Sequence, residues 1–147
     1  MAALPRDVLP QIPKNKLSEF IQFVKERDIP VKIGKISVAK LKPIQSEVNA
    51  EKVEHMKQDA KALKQPLIIS KDGCILDGHH RWVALKELDD DMPANVILCV
   101  CPIKELVSLG HQFDGSFTKT IHEMTIYAKG LFEDDALPIV KKTLYPY

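Results

Sequence analysis

Five consecutive residues, Asp77-Gly78-His79-His80-Arg81, bring together a carboxylate, a glycine, two imidazoles and a guanidinium. They follow the apolar stretch Cys74-Ile75-Leu76 and precede a helical pattern, so they fall where a strand gives way to a helix. The first backbone N–H groups of a helix lack intrahelical partners and carry partial positive charge, which suits an anion. Gly78 allows close approach to the backbone, Arg81 adds a planar donor fork for phosphate oxygens, and His79 and His80 add donors whose charge varies near neutrality. Asp77, at the end of the strand, can hold a magnesium ion or accept a proton from an attacking hydroxyl; it can equally cap the helix. The chemistry this suggests is the binding of a nucleotide's phosphates.

Other residues are weaker candidates. A His-His pair is of zinc-ligand type, but neighbours on a helix diverge and no Cys or His stands at ligand spacing. Phe113 to Lys119 forms a second polar cluster around the Asp114-Gly115 turn; it reads as turn plus cap, or as a grip on a ligand. His122 and Glu123 offer catalytic groups but read as solvated helical residues, and Trp82 reads as a packing residue rather than a base-stacking platform.

The elements that must position these groups are legible in outline. Residues 1-14 read as an extended proline-rich arm whose apolar side chains dock on a surface, 15-112 as the main domain, and 113-147 as an extension packed on it. Asn15 is the expected N-cap of a helix through Leu17, Phe20, Ile21 and Val24 that stops at Asp28-Ile29-Pro30. Val31 to Leu41 alternates as a strand or bent hairpin broken at Gly34. Asn49 caps a second helix with Val53, Met56, Ala60 and Leu63 inward. Leu67 to Asp77 is a hairpin around Asp72-Gly73, followed by a helix from His80 to Leu88 with Val83, Ala84 and Leu88 inward. Asn95 to Cys101 is a strand, and Pro102 starts a helix that Gly110 ends. Together they predict an α/β (α+β) class, a small mixed sheet flanked by helices.

Bulk properties narrow the partners. A chain of 147 residues with 45% hydrophobic and 28% charged residues can bury a core unaided. A net charge of +1 is unlike the basic coat of a protein that holds duplex DNA by charge, so nucleic acid is not the favoured partner. Three cysteines (Cys74, Cys99, Cys101) without a CxxC pair read as buried thiols of a reducing cytosol. The longest apolar run, Val96 to Val100, is strand-sized, which predicts a soluble cytoplasmic protein, monomer or dimer, with no membrane partner.

The run from Leu41 to Leu88, about a third of the chain, resembles the ParB/sulfiredoxin superfamily: a Leu-Lys-Pro segment, a loop, Asn49-Ala50-Glu51-Lys52-Val53, then Pro66-Leu67-Ile68-Ile69-Ser70 and the Asp-Gly-His-His-Arg turn. That turn is most similar to those of the free-serine kinases and of stand-alone phage-encoded members. The resemblance implies a ParB/sulfiredoxin-like fold, phosphates gripped by the pair His80 and Arg81 in addition to the Gly78 and His79 donors read above, and a nucleotide-contacting Lys52. Sulfiredoxins carry their reactive Cys where this chain has His79, so sulfinic-acid reduction is not expected. The ParB partition proteins bind CTP through a Gly-Glu-Arg-Arg turn, which is absent here. The serine kinases have a basic Glu after the Leu-x-Pro segment, and Glu47 is its nearest match.

The expected function is then a magnesium-dependent phosphotransferase moving a phosphate from ATP or ADP, with CTP a further candidate, to a small metabolite or a hydroxylated nucleobase. Asp77, Glu47 and His79 would be its catalytic residues, with Asp77 also the metal ligand. The alternatives are a non-catalytic, nucleotide-dependent DNA- or protein-binding module and a ParB-like nuclease.

Overall fold

The computed structural model describes residues 9–45, 47–113 and 139–141, the side chains of Glu47 and of 139–141 excepted. In chain order its elements are α1 (Leu17–Lys25), β1 (Val31–Ser37), β2 (Glu47–Asn49), α2 (Ala50–Lys57), α3 (Ala60–Lys64), β3 (Leu67–Ser70), β4 (Ile75–Asp77), α4 (His79–Leu88), β5 (Pro93–Cys99), α5 (Ile103–Gln112) and β6 (Ile139–Lys141). Four strands form one mixed sheet in the order β1-β5-β3-β4, with β3 and β5 parallel and the two outer pairs antiparallel. The expected mixed sheet flanked by helices is thus observed. A separate parallel pair joins β2 to β6.

Strand alternation divides the core between the two faces of the sheet. Leu67, Ile69, Ile75 and Val96 pack with Val53, Trp82, Val83 and Leu85, which places α2 and α4 on one face. Ile68, Leu76, Ile97 and Cys99 pack with Phe20, Val24, Ile103 and Leu106, which places α1 and α5 on the other. β3 is buried at every position because it has a strand on each edge and a helical layer on each face, hence its unbroken apolar run. Among the described residues, no helix is long and apolar enough to cross a membrane.

The hairpin over Asp72-Gly73 forms as expected, with Gly73 at φ 80 and its N–H donating to Ser70 O at 3.0 Å. Five local expectations are corrected. Asn15 lies inside a 3-10 turn (Lys14–Lys16) closed by Lys16 N–H donating to Pro13 O at 2.8 Å, and α1 starts at Leu17 without a side-chain cap, because the turn puts Lys16, whose side chain has no acceptor, at the N-cap position. Gly34 does not break β1, which stays in unbroken register with β5 from Val31 to Ser37; the bend comes after it, where Ser37 Oγ accepts from Ala39 N–H at 3.3 Å. The second helix is two, since Asp59 Oδ1 accepts from Lys61 and Ala62 N–H at 3.1 and 3.2 Å and starts a new helix there. Leu88, expected inward, is exposed at the last turn of α4.

Gly110, expected to end α5, sits within it. A Cβ there would lie 2.6 Å from Pro10 Cγ and 3.0 Å from Pro10 Cβ, so this glycine is a notch that admits the N-terminal strap, residues 9–13. The strap is docked as its apolar residues suggested: Leu9 and Ile12 are buried in the α1/α5 layer. A methyl group at Gly110 meets a rigid proline ring. Gly110→Ala should therefore lower stability by about 1–3 kcal/mol in urea unfolding and speed proteolysis within the first 14 residues.

Cys74, Cys99 and Cys101 are all buried, and none of the three is in a disulfide. Burial pushes the Cys99 thiol up to about 12 and the Cys101 thiol up to about 11. The folded chain therefore keeps protons that the unfolded chain releases above about pH 9, so these thiols favour the fold less and less as pH rises from there. Thermal melts from about pH 8 to about pH 10.5 should show a falling midpoint, and the Cys99→Ala/Cys101→Ala pair should flatten part of that fall.

Candidate functional site

The β4–α4 junction turns sharply for two reasons. The β3–β4 register shifts by one residue between Ile68 and Ile69, pairing Ile69 with Ile75 but Ile68 with Asp77, a bulge-like irregularity that re-aims the strand end. Gly78 then takes φ 105 and ψ 22 as the N-cap of α4. A side chain is excluded there twice over, by the left-handed backbone and by contacts of an added Cβ with Leu67 Cδ2 at 2.5 Å and Arg81 Nη1 at 2.8 Å.

From this turn the two histidines point into the protein, at 3% and 6% exposure. His79 Nε2 accepts from the Ile44 N–H at 3.0 Å and the Gln45 N–H at 3.2 Å. His80 Nε2 accepts from the Asn49 N–H at 3.0 Å. An accepting Nε2 is unprotonated, so each ring is a neutral imidazole carrying its proton on Nδ1. The segment they hold begins beside β4, where Lys42 N–H donates to Gly73 O and Ile75 N–H donates to Lys42 O. It then crosses to α2, which Asn49 caps by accepting from Lys52 N–H at 3.1 Å, as expected. Trp82, expected to pack, is buried and donates its indole N–H to Val38 O at 3.0 Å.

Asp77 and Arg81, four residues apart across the turn, meet in a cavity of about 230 Å³. Arg81 donates from Nε to Ala62 O at 2.9 Å and from Nη1 to Pro66 O at 3.1 Å, which ties α4 to the α3–β3 connection. Burial lowers its pKa and the Asp77 carboxylate partly offsets this; a guanidinium stays charged under both effects. Asp77 Oδ2 accepts from the Ile12 N–H at 3.1 Å, so the strap crosses the site of its own chain. Gln11 and Lys14 of the strap region and Gln65 complete the polar lining.

The residues proposed from sequence are therefore distributed. Asp77 and Arg81 come together in the cavity, while His79 and His80 bond to the 44–49 segment instead. Lys52 lies in the first turn of α2 and does not line the cavity. The Glu47 backbone is in β2 beside Ile139, and its side chain lies outside the described residues, as do Asp114 to Lys119, His122 and Glu123. Gln11, Lys14 and Gln65 were not singled out in the sequence; the arm's apolar residues announced that it docks, but not where. Among the described residues, no group of three or more His, Cys, Asp or Glu is gathered as for a metal ion. Asp77 does suit magnesium that takes its remaining ligands from phosphates and water, a common arrangement for this ion.

No protein-family model matches this chain, and no curated protein matches it either.

Ile44 and Gln45 are both buried, so removing the imidazole strands two amides away from water. His79→Ala is expected to cost about 3 kcal/mol in urea unfolding, a loss well above that of an ordinary surface substitution.

Proposed function

We propose that the chain binds a nucleotide through its phosphates in the cavity beside Asp77 and Arg81 and transfers a phosphate to a hydroxyl acceptor. The observation that carries this reading is the shared cavity itself: Arg81 and Asp77 line it from the β4–α4 junction and Lys14 lines it from the N-terminal side. The resemblance of the Leu41 to Leu88 run to the ParB/sulfiredoxin superfamily, and of Asp-Gly-His-His-Arg to the free-serine kinases, supports ATP or ADP as donor and adds the transfer step.

In this reading Arg81 contacts phosphate oxygens. Its Nε and Nη1 bonds to Ala62 O and Pro66 O fix the plane of the fork, which has five N–H donors in all. Asp77 would be the residue to hold a magnesium ion brought with the phosphates, and that ion would supply neutralisation of their charge. The acceptor hydroxyl oxygen bonds to the terminal phosphorus, the bond to the departing nucleotide oxygen breaks, and the hydroxyl proton passes to a carboxylate, Asp77 or Glu47. His79 and His80 act as positioning residues that hold the 44–49 segment, which carries Glu47.

One observation favours a second reading, a nucleotide-dependent binding module without turnover. Asp77 and Arg81 both bond to main-chain groups, as a purely structural latch would. Asp77→Asn separates the two, because an amide oxygen can still accept from Ile12 N–H while losing charge and basicity. With magnesium and ATP or ADP, the native chain should show a nucleotide-induced thermal shift and consume nucleotide in the presence of hydroxyl acceptors. The variant should keep the shift and lose at least about 100-fold in kcat. Nucleotide binding by the native chain with no turnover against any acceptor would favour the module, and no binding at all would end both readings.

A further inference from the structure

We infer that the cavity grips the phosphate chain of its ligand between Arg81 and Lys14 and leaves the base outside, so that binding is nearly indifferent to the base. This rests on the reading above that the cavity receives a nucleotide. Its size is the first reason: about 230 Å³ lies below the roughly 300–1,000 Å³ of pockets that enclose a whole ligand of nucleotide size. Its lining is the second. Lys14, Arg81, Gln11 and Gln65 offer cationic and amide N–H donors, whereas no aromatic ring among the described residues faces the cavity to stack on a base.

The origin of the two cations is the third reason. Arg81 belongs to α4, and its fork is held by Ala62 O and Pro66 O. Lys14 belongs to the 3-10 turn that ends the strap, and the strap is anchored three ways: Leu9 and Ile12 are in the core, Pro10 fills the Gly110 notch, and Ile12 N–H is bonded to Asp77. The Lys14 backbone is therefore set beside the cavity before any ligand arrives, and the strap is a fixed wall of the site. Two cations on separate elements with one carboxylate beside them suit an extended, multiply charged polyphosphate with magnesium better than a single phosphate or a carboxylate ligand.

The test is calorimetric titration of the full chain, with magnesium, by ATP, GTP, CTP and inorganic tripolyphosphate. The four dissociation constants should agree within about threefold. Lys14→Ala should weaken all four by about tenfold without moving the melting temperature, because Lys14 is exposed and its contribution is to the ligand. Lys35→Ala, on the exposed part of β1, should change none of them. Tight binding of one nucleoside triphosphate with tripolyphosphate at least about thirtyfold weaker would overturn the inference and leave the proposed function standing, because a base would then be read. So would Lys14→Ala binding like the native chain. Failure of the native chain to bind any of the four would remove the proposed function and this inference together.

Discussion

Ile44, Gln45 and Asn49 lie on a buried connection, and their backbone amides find their acceptors in two imidazole nitrogens. A connecting segment ordinarily runs over the surface because water satisfies its main chain there; one that runs inside needs an internal acceptor for every buried amide. Consecutive histidines at the start of a helix can serve because their side chains leave the helix in different directions. His79 reaches residues 44 and 45, and His80 reaches residue 49, so the pair spans the segment rather than gripping one point. The path from β4's edge to the start of α2 follows from those bonds. So does the place of Asn49, which receives an amide at one end of α2 while donating one, and caps the helix with its side chain.

The other side of the same turn faces the strap. Gly78 reads in the sequence as room for a ligand, but its left-handed backbone and the 2.5 Å and 2.8 Å contacts of an added Cβ show that the room is taken by Leu67 and Arg81. The glycine is needed first so that the protein can close on itself. That closure lets Arg81 lie back along the end of β3 and reach Pro66 O, and it leaves Asp77 and Arg81 on one side of the turn with the two imidazoles on the other. A five-residue motif is thereby divided into a half that holds the fold and a half that borders a cavity.

What could be read from the sequence was what depends on near neighbours. The Asp72-Gly73 hairpin, the strand-glycine-helix junction at Gly78, the Asn49 cap and the buried Trp82 all follow from residues within a few positions of one another. The partners of His79 and His80 could not be read, because they lie 31 to 35 positions away and are main-chain amides, which every residue but proline possesses. The same holds for Arg81, whose acceptors are carbonyls, and for Gly110, whose meaning is set by Pro10 a hundred positions earlier. Asp59 is a local feature that the apolar pattern hides: its side-chain oxygen restarts a helix where periodicity continues through Ala60 and Leu63. Periodicity reports which face is buried and is silent on whether the backbone is continuous.

In the function proposed above, bonds to the protein's own main chain do not compete with a ligand role for Asp77 and Arg81; they set its terms. An arginine side chain free in water loses about 2 kcal/mol of rotamer entropy when it is fixed on a ligand. Here Ala62 O and Pro66 O have already fixed it, and that loss is met in folding rather than in binding. The Ile12 N–H does the same for the Asp77 carboxylate, which has acceptor capacity for several partners at once. Lys14 is the contrasting case: its backbone is fixed by the docked strap while its side chain is exposed and keeps its rotamers. A site built this way has a rigid floor and one adjustable cation at its rim, which suits it to a flexible, highly charged chain of phosphates more than to a rigid planar ring.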